Sequence, residues 1–200
     1  PDVYSSEHDW SATVAGALDG SSVGASGLVF LPYLVGKRSP AAVPTARGAF
    51  LGLRPEHTPR DMIRAILEGC AYAMRQAIEA LGDSMEASEV RAVGGGARHD
   101  GWLQMKADVL NLPVARMRMN EGTLLGAAIL AGIAAEMFTS FEEAVDAMVF
   151  ADTVFMPRSG CSAHDSCGDG YSRGYATFCT AESALQDYWN DAAAIWATQR

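Results

Sequence analysis

The chain has 200 residues, 49% of them hydrophobic and 20% charged, with a formal net charge of −9. That balance is ordinary for a globular domain able to bury its own core. Its acidity speaks against nonspecific binding to nucleic acid or to an anionic membrane, both of which favour basic surfaces. No apolar run approaches the roughly 18 residues of a membrane span, and no charged stretch leads into an apolar one at the start, so the expected setting is reducing and cytoplasmic.

Residues 1–26 form a polar–apolar lead-in that closes on a Ser/Gly-rich turn. Leu28 to Leu31 are apolar without alternation, which predicts a short buried strand ended by Pro32. A loop follows through Pro44, and Ala49-Phe50-Leu51 restarts an extended segment between Gly48 and Gly52. From Thr58 the period changes to that of a helix. Thr58 suits the N-cap, Pro59 the first helical position and Asp61 the first turn. Ile63, Ile66, Leu67, Cys70, Met74, Ala77, Ile78 and Leu81 recur at threes and fours as one stripe, and Gly82 stops the helix. Within it Arg64 and Glu68, spaced i, i+4, suggest a pair on the helix surface.

Val90 to Val93 predict a strand that runs into Gly94-Gly95-Gly96. A second helix follows, marked by Trp102, Met105, Val109 and Leu110, then a strand from Leu112 to Met117. After Glu121 comes a helix rich in small residues (Gly126, Ala127, Ala128, Ala131, Gly132, Ala134). Such composition implies close packing, since nothing else recovers the lost helix propensity. Ser140 caps a helix over Phe141–Met148, and Phe150 to Phe155 predict a last strand. Beyond a polar gap from Pro157 to Gly170, Tyr171, Tyr175, Phe178, Leu185, Tyr188, Trp189, Ile195 and Trp196 mark a helical tail. The central order of strand, helix, strand, helix is that of parallel α/β architecture.

The four cysteines are Cys70, Cys161, Cys167 and Cys179. Cys70 reads as a small core residue. Cys161, His164 and Cys167 could be imagined as metal ligands, but no paired short knuckle accompanies them, so the expectation is ordinary thiols and no metal.

Three successive glycines between a strand and a helix give up side chains at an entropic cost of roughly 0.5–1 kcal/mol each. Unpaired amides beside a helix N-terminus make an anion or phosphate seat. The alternative is a tight turn that lets helix and strand approach closely. The P-loop pattern is absent, and the dinucleotide fingerprint would need a third glycine where His99 stands.

The span from Gly27 to Gly132 resembles the C-terminal domain of the FGGY family of carbohydrate kinases. GLVFLPYLVGKRSP is similar to the family's Leu-Pro-Tyr-Leu-x-Gly-Glu-Arg-Thr-Pro segment. GAFLGLRPEHTPRDMIRAILEG fits the family's signature. VGGGARHDGWLQMKADVLNLPV resembles Gly-Gly-Gly-Ala-Arg-Ser-x-x-Trp-x-Gln-Met-x-Ala-Asp-Val, and EGTLLGAAILAG resembles Glu-x-x-Ala-Leu-Gly-Ala-Ala-x-Leu-Ala-Gly. The resemblance implies an actin-like, ribonuclease-H-like α/β domain with a mixed sheet flanked by helices. It implies ATP and Mg²⁺ as cofactors, and transfer of the ATP γ-phosphoryl to a hydroxyl of a sugar such as xylulose. It also implies a nucleotide site at Gly94, Gly95, Gly96, Ala97 and Asp100, with contact through the backbone of Gly95 and Gly96 and the side chain of Asp100. Asp100 has a second reading as a first-turn acid that favours the helix dipole without a ligand. Trp102, Gln104 and Asp108 would fix the helix in place.

Three positions depart from the family pattern. Lys37 replaces Glu in a loop that the resemblance places at the domain cleft, His99 replaces Ser and Leu124 replaces a small residue. The phosphate loop Asp-x-Gly-Thr does not occur, Asp2, Asp9 and Asp19 lack its context, and Gly20-Ser21-Ser22 matches a phosphate turn only superficially. The expected organisation is therefore one C-terminal kinase domain, with a lead-in (1–26), a core (27–156) and a helical tail (157–200). A sugar-binding N-terminal domain, and with it the acceptor-facing Asp that serves as base or orienting group, would lie outside the chain. On this reading the chain is inactive alone and has a sugar as partner through that domain, with a homodimer allowed for the full-length protein. The competing readings are a non-kinase ATPase of the same superfamily and an inactive structural remnant.

Overall fold

A computed structural model describes residues 10–82, 87–158 and 166–197. The chain opens with α1 (Trp10–Gly20), a helix that the lead-in composition does not announce because only Val14 and Ala17 are buried along it. After a left-handed turn at Gly24–Gly27, β1 (Val29–Leu31) pairs antiparallel with β2 (Ala49–Leu51), Val29 opposite Leu51. The long helix α2 (Pro59–Glu79) follows with the predicted cap: the Asp61 amide donates to Thr58 Oγ1 and the Thr58 amide donates to Asp61 Oδ2 at 2.8 Å. This reciprocal box satisfies donors that a helix start otherwise leaves unpaired.

A three-stranded sheet comes next, ordered β3 (Val90–Ala92), β4 (Val114–Met117), β5 (Ala151–Phe155). β3 and β4 run parallel, joined by α3 (Asp100–Leu110), whereas β5 is antiparallel to β4. Helices α4 (Gly122–Ala134) and α5 (Phe141–Met148) lie between β4 and β5, and α6 (Ser166–Ala184) and α7 (Gln186–Ala197) end the chain. One face of the sheet is closed by α3, with Leu103 and Ala107 against Val114, Val90 and Phe155. The main core lies elsewhere. Leu31 of β1 and Tyr33 just after it, Leu67 and Tyr72 of α2, Met105 and Val109 of α3, and Phe178 and Trp189 of the terminal helices form one cluster. Burial of these large side chains is the chief favourable term holding the terminal helices to the rest.

Three sequence expectations are corrected. The buried face of α2 shares only Leu67 with the aliphatic stripe: Ile66 is exposed, while Arg64, Glu68, Gly69, Ala71 and Tyr72 face inward. Arg64 and Glu68 are thus a buried pair at 2.8 Å, and Arg64 also donates to the carbonyls of Leu18 and Ser21. The second correction concerns α4. Only Ile129 and Gly132 are buried on it, so the other small residues, Gly126, Ala127, Ala128, Ala131 and Ala134, lie open to solvent together with Leu124 and Leu130. The third is Lys37, which turns inward to an ion pair with Glu182 of α6 and lies 5.8 Å from the centre of the Tyr33 ring. A lysine can be held there because Glu182 neutralises it and the ring faces it.

Candidate functional site

The three glycines serve three different physical needs. Gly94 sits at φ 79°, ψ −170°, a region open only to glycine; its amide donates to the Asn120 carbonyl at 2.9 Å and its own carbonyl accepts from Ala97 at 3.1 Å. Gly96 lies against Trp102: a Cβ there would come within 2.9 Å of the ring. Gly95 is exposed, with nothing within 4 Å of where a Cβ would be. Neither the Gly95 nor the Gly96 amide has a backbone partner among the described residues. The buried member of the predicted set is Ala97, 1% exposed, which props the turn from within.

These glycines do not open α3. They form a short 3₁₀ turn, Gly95–Arg98, and His99 then adopts an extended conformation before α3 starts at Asp100. The extended backbone of His99 separates the turn from the helix. The dipole expected to act on the glycine amides therefore acts on the residues from Asp100 onward.

Beside the turn a cavity of about 370 Å³ opens between α1 and the start of α3, lined by Val14, Ala15, Leu18 and Asp19 on one side and Arg98 to Gly101 on the other. Leu18 and Gly101 touch across it, since a Cβ at Gly101 would meet Leu18 at 2.7 Å. His99 lines the cavity but keeps its Nδ1 shielded and without a hydrogen-bond partner. A second cavity of about 320 Å³, mainly apolar, lies beyond β3 between Val93, Met119, Gly122, Gly126 and Phe150.

Asp100 reaches the rim of the first cavity with a side chain 69% exposed, and it is ion-paired with Arg116 of β4. Arg116 also donates from Nε to Asp152 at 3.0 Å and from Nη2 to Thr153 Oγ1 at 3.1 Å. The two carboxylates, Asp100 foremost, hold the guanidinium above its ordinary pKa. Trp102, Gln104 and Asp108 anchor α3: Trp102 Nε1 donates to the Leu67 carbonyl at 3.2 Å, Gln104 to the Met156 carbonyl at 2.8 Å, and Asp108 accepts from Arg158 Nη2 at 2.6 Å.

Sequence reasoning missed α1 as a wall of the cavity and Arg116 as the partner of Asp100. The available signal for Arg116 was a lone cation inside the apolar run Val114-Ala115-Arg116-Met117. The polar clamp that holds the end of α1 was equally hidden. Glu68 accepts from the Gly24 amide at 3.0 Å as well as from Arg64, and burial pushes its carboxyl up against the opposing pull of that arginine. Among the described residues no cluster of three or more His, Cys, Asp or Glu side chains gathers. The Cys161, His164 and Cys167 set, like Asp2 and Asp9, involves side chains outside the described residues.

The glycine turn thus lies between two parallel strands, with uncovered amides and a cavity at the following helix. The chain belongs to the FGGY family of carbohydrate kinases: the family's C-terminal domain matches residues 6–135. Its fold is accordingly the actin-like one, an α/β domain with a mixed sheet flanked by helices.

Among particular proteins, it is 37% identical over 153 residues to a xylulose kinase of Staphylococcus epidermidis, covering 76% of this chain and 30% of that one. A gluconokinase of Bacillus licheniformis is 40% identical over 125 residues, 62% of this chain and 24% of that one. The crystal structure of a ligand-bound xylulose kinase from Lactobacillus acidophilus superposes with a TM-score of 0.77 at 26% identity, over 89% of this chain and 35% of that one. The chain thus spans about a third of the length of the relatives it matches.

Proposed function

We propose that this chain is the nucleotide-binding part of an ATP-dependent sugar kinase, a single C-terminal domain whose full-length protein transfers the γ-phosphoryl of ATP to a hydroxyl of a sugar such as xylulose. The observation that carries the reading is the uncovered main chain at Gly95, in a turn whose last residue, Arg98, lines a cavity together with Asp100, in a chain of this family. The Gly95 and Gly96 amides present donors to the nucleotide. The Asp100 carboxylate presents an acceptor to it, and Gly94 and Ala97 shape the turn. Val14, Ala15 and Leu18 supply apolar surface for a flat base.

Mg²⁺ enters with the nucleotide phosphates as charge stabiliser for phosphoryl transfer. Asp100 and Asp152 are both taken by Arg116, so neither is assigned to the metal. The acceptor sugar and the group that orients its hydroxyl belong to sequence beyond this chain. Relatives named as xylulose kinases and gluconokinases match at similar identity, which supports a sugar or sugar acid as acceptor. A cytoplasmic setting agrees with the net charge of −9 and with the finding that no described helix is long and apolar enough to cross a membrane.

The test is direct. The 200-residue chain should bind ADP and ATP in a titration and melt at a higher temperature with either, yet release no ADP when given xylulose or gluconate. No binding of either nucleotide defeats the reading in favour of an inactive remnant. Sugar-dependent ADP formation by this chain defeats the claim that it is incomplete.

A further inference from the structure

An exposed carboxylate in the first turn of a helix ordinarily turns freely among its rotamers and loses that freedom only when a ligand arrives. Asp100 is not free. Arg116 leaves β4 between the buried Ala115 and Met117, and its guanidinium is fixed on three sides: by Asp100 Oδ1, by Asp152 Oδ2 at 3.0 Å and by Thr153 Oγ1 at 3.1 Å. The Phe155 ring lies below it, 5.8 Å from the ring centre. The anchor on the β5 side is independent of Asp100, so the guanidinium stands ready whether or not the aspartate is engaged. One oxygen of Asp100 is thereby held, and the other has no partner among the described residues while its residue lines the cavity beside the glycine turn.

The geometry points to Arg116 as a positioning residue of the nucleotide site. It orients the Asp100 carboxylate so that its free oxygen accepts a hydrogen bond from an N–H or O–H of the bound nucleoside, and it offsets the negative charge that Asp100 would otherwise set against the phosphates. A planar guanidinium can hold three acceptors at fixed angles, which a lysine ammonium on a flexible stem cannot do. Preorganising the acceptor before binding lowers the ordering cost that the ligand must meet. The inference rests on the nucleotide reading above.

The experiment is a double-mutant cycle on ADP affinity in this chain, using Asp100→Ala, Arg116→Met and the pair, with a melting temperature for each. Asp100→Ala is expected to weaken ADP binding about tenfold, the usual weight of a charge-assisted hydrogen bond. Arg116→Met should weaken it by a similar factor in the wild-type background and by less than twofold when Asp100 is already alanine. A residue that merely supports the fold would weaken binding equally in both backgrounds, and that result overturns the proposal. If Arg116→Met does not fold, Arg116→Lys takes its place. It should weaken ADP binding at least threefold with Asp100 present and not at all with Asp100→Ala; equal losses in the two backgrounds again overturn the proposal. A wild-type chain that fails to bind ADP brings down the nucleotide reading and this inference together. Binding that needs Asp100 but ignores Arg116 brings down the inference alone.

Discussion

Gly96 lies against the indole of Trp102, so close that a methyl group there would sit within 2.9 Å of the ring. The same indole donates to the Leu67 carbonyl at 3.2 Å and lies under the Lys106 ammonium, 3.8 Å from its centre. Gly96 is therefore a packing position, whereas Gly95, one residue earlier, faces open space. Their alanine variants should separate cleanly. Gly96→Ala must displace Trp102 and is expected to cost about 1–3 kcal/mol of stability. Gly95→Ala should leave the unfolding free energy in urea within about 0.5 kcal/mol of wild type and weaken nucleotide binding, because its Cβ enters open space assigned to the ligand. Equal losses of stability in the two variants would contradict the division of roles.

At Gly69 α2 lies tight against β1. A Cβ on this residue of α2 would come 2.2 Å from the Phe30 carbonyl oxygen of β1, a backbone atom that cannot swing aside. Gly69→Ala should therefore destabilise the chain by about 3 kcal/mol or more, at the upper end of overpacking costs. Chemical unfolding followed by tryptophan fluorescence measures this. A neutral result would mean that α2 can slide away from β1 without loss.

Glu182 is the hub of a buried polar knot joining the loop after β1, α2 and α6. It pairs with Lys37, accepts from Tyr33 Oη at 3.1 Å and from Gln76 Nε2 at 2.8 Å. Lys37→Met leaves that carboxylate buried without its cation and should cost about 3–5 kcal/mol, while Lys37→Met with Glu182→Leu should recover most of the loss. Urea midpoints of the two variants decide the matter. Since Lys37 faces α6, its substitution in a full-length kinase should lower stability rather than change sugar preference. Altered preference at unchanged stability would restore the cleft-facing expectation.

What the sequence made legible was local chemistry. Thr58, Pro59 and Asp61 announce a helix start because the cap is made within four residues of itself. The glycine turn stood out because three successive glycines need a reason, although its separation from α3 depends on Gly94 and His99 backbone angles that composition does not encode. The pairings that matter most join distant residues. Lys37 and Glu182, Arg116 and Asp152, and Arg64 with the Leu18 carbonyl cannot be foreseen from spacing. An i, i+4 Arg–Glu pair also looks the same in sequence whether it faces solvent or core, and the placement of α1, the turn after it and Tyr171 of α6 against α2 decides that Arg64 and Glu68 are buried. The small residues of α4 show the converse error. Their composition asks for a close neighbour, but nothing in it says that the neighbour lies within the same chain, and along Gly126, Ala127, Ala128 and Ala131 no described residue buries them.

Acid sensitivity should centre on Asp61. Hydrogen bonds from Ser21 Oγ at 2.5 Å and from the backbone and hydroxyl of Thr58 hold its carboxylate charged, and they lower its pKa from 3.8 to about 2. A depressed carboxyl pKa contributes stability that is fully present above the unfolded value, here 3.8, and is lost as pH falls through the folded value of about 2. Urea unfolding of the wild-type chain should therefore show a declining midpoint across that window. Asp61→Asn should lose about 1 kcal/mol at neutral pH, the usual weight of a helix cap, and its midpoint should fall less steeply in acid. Ser21→Ala should show the same flattening in smaller measure, because Ser21 is the first of the partners that hold the charge. Parallel acid limbs for wild type and Asp61→Asn would place the titrating group elsewhere and remove the α1–α2 connection from the account of acid stability.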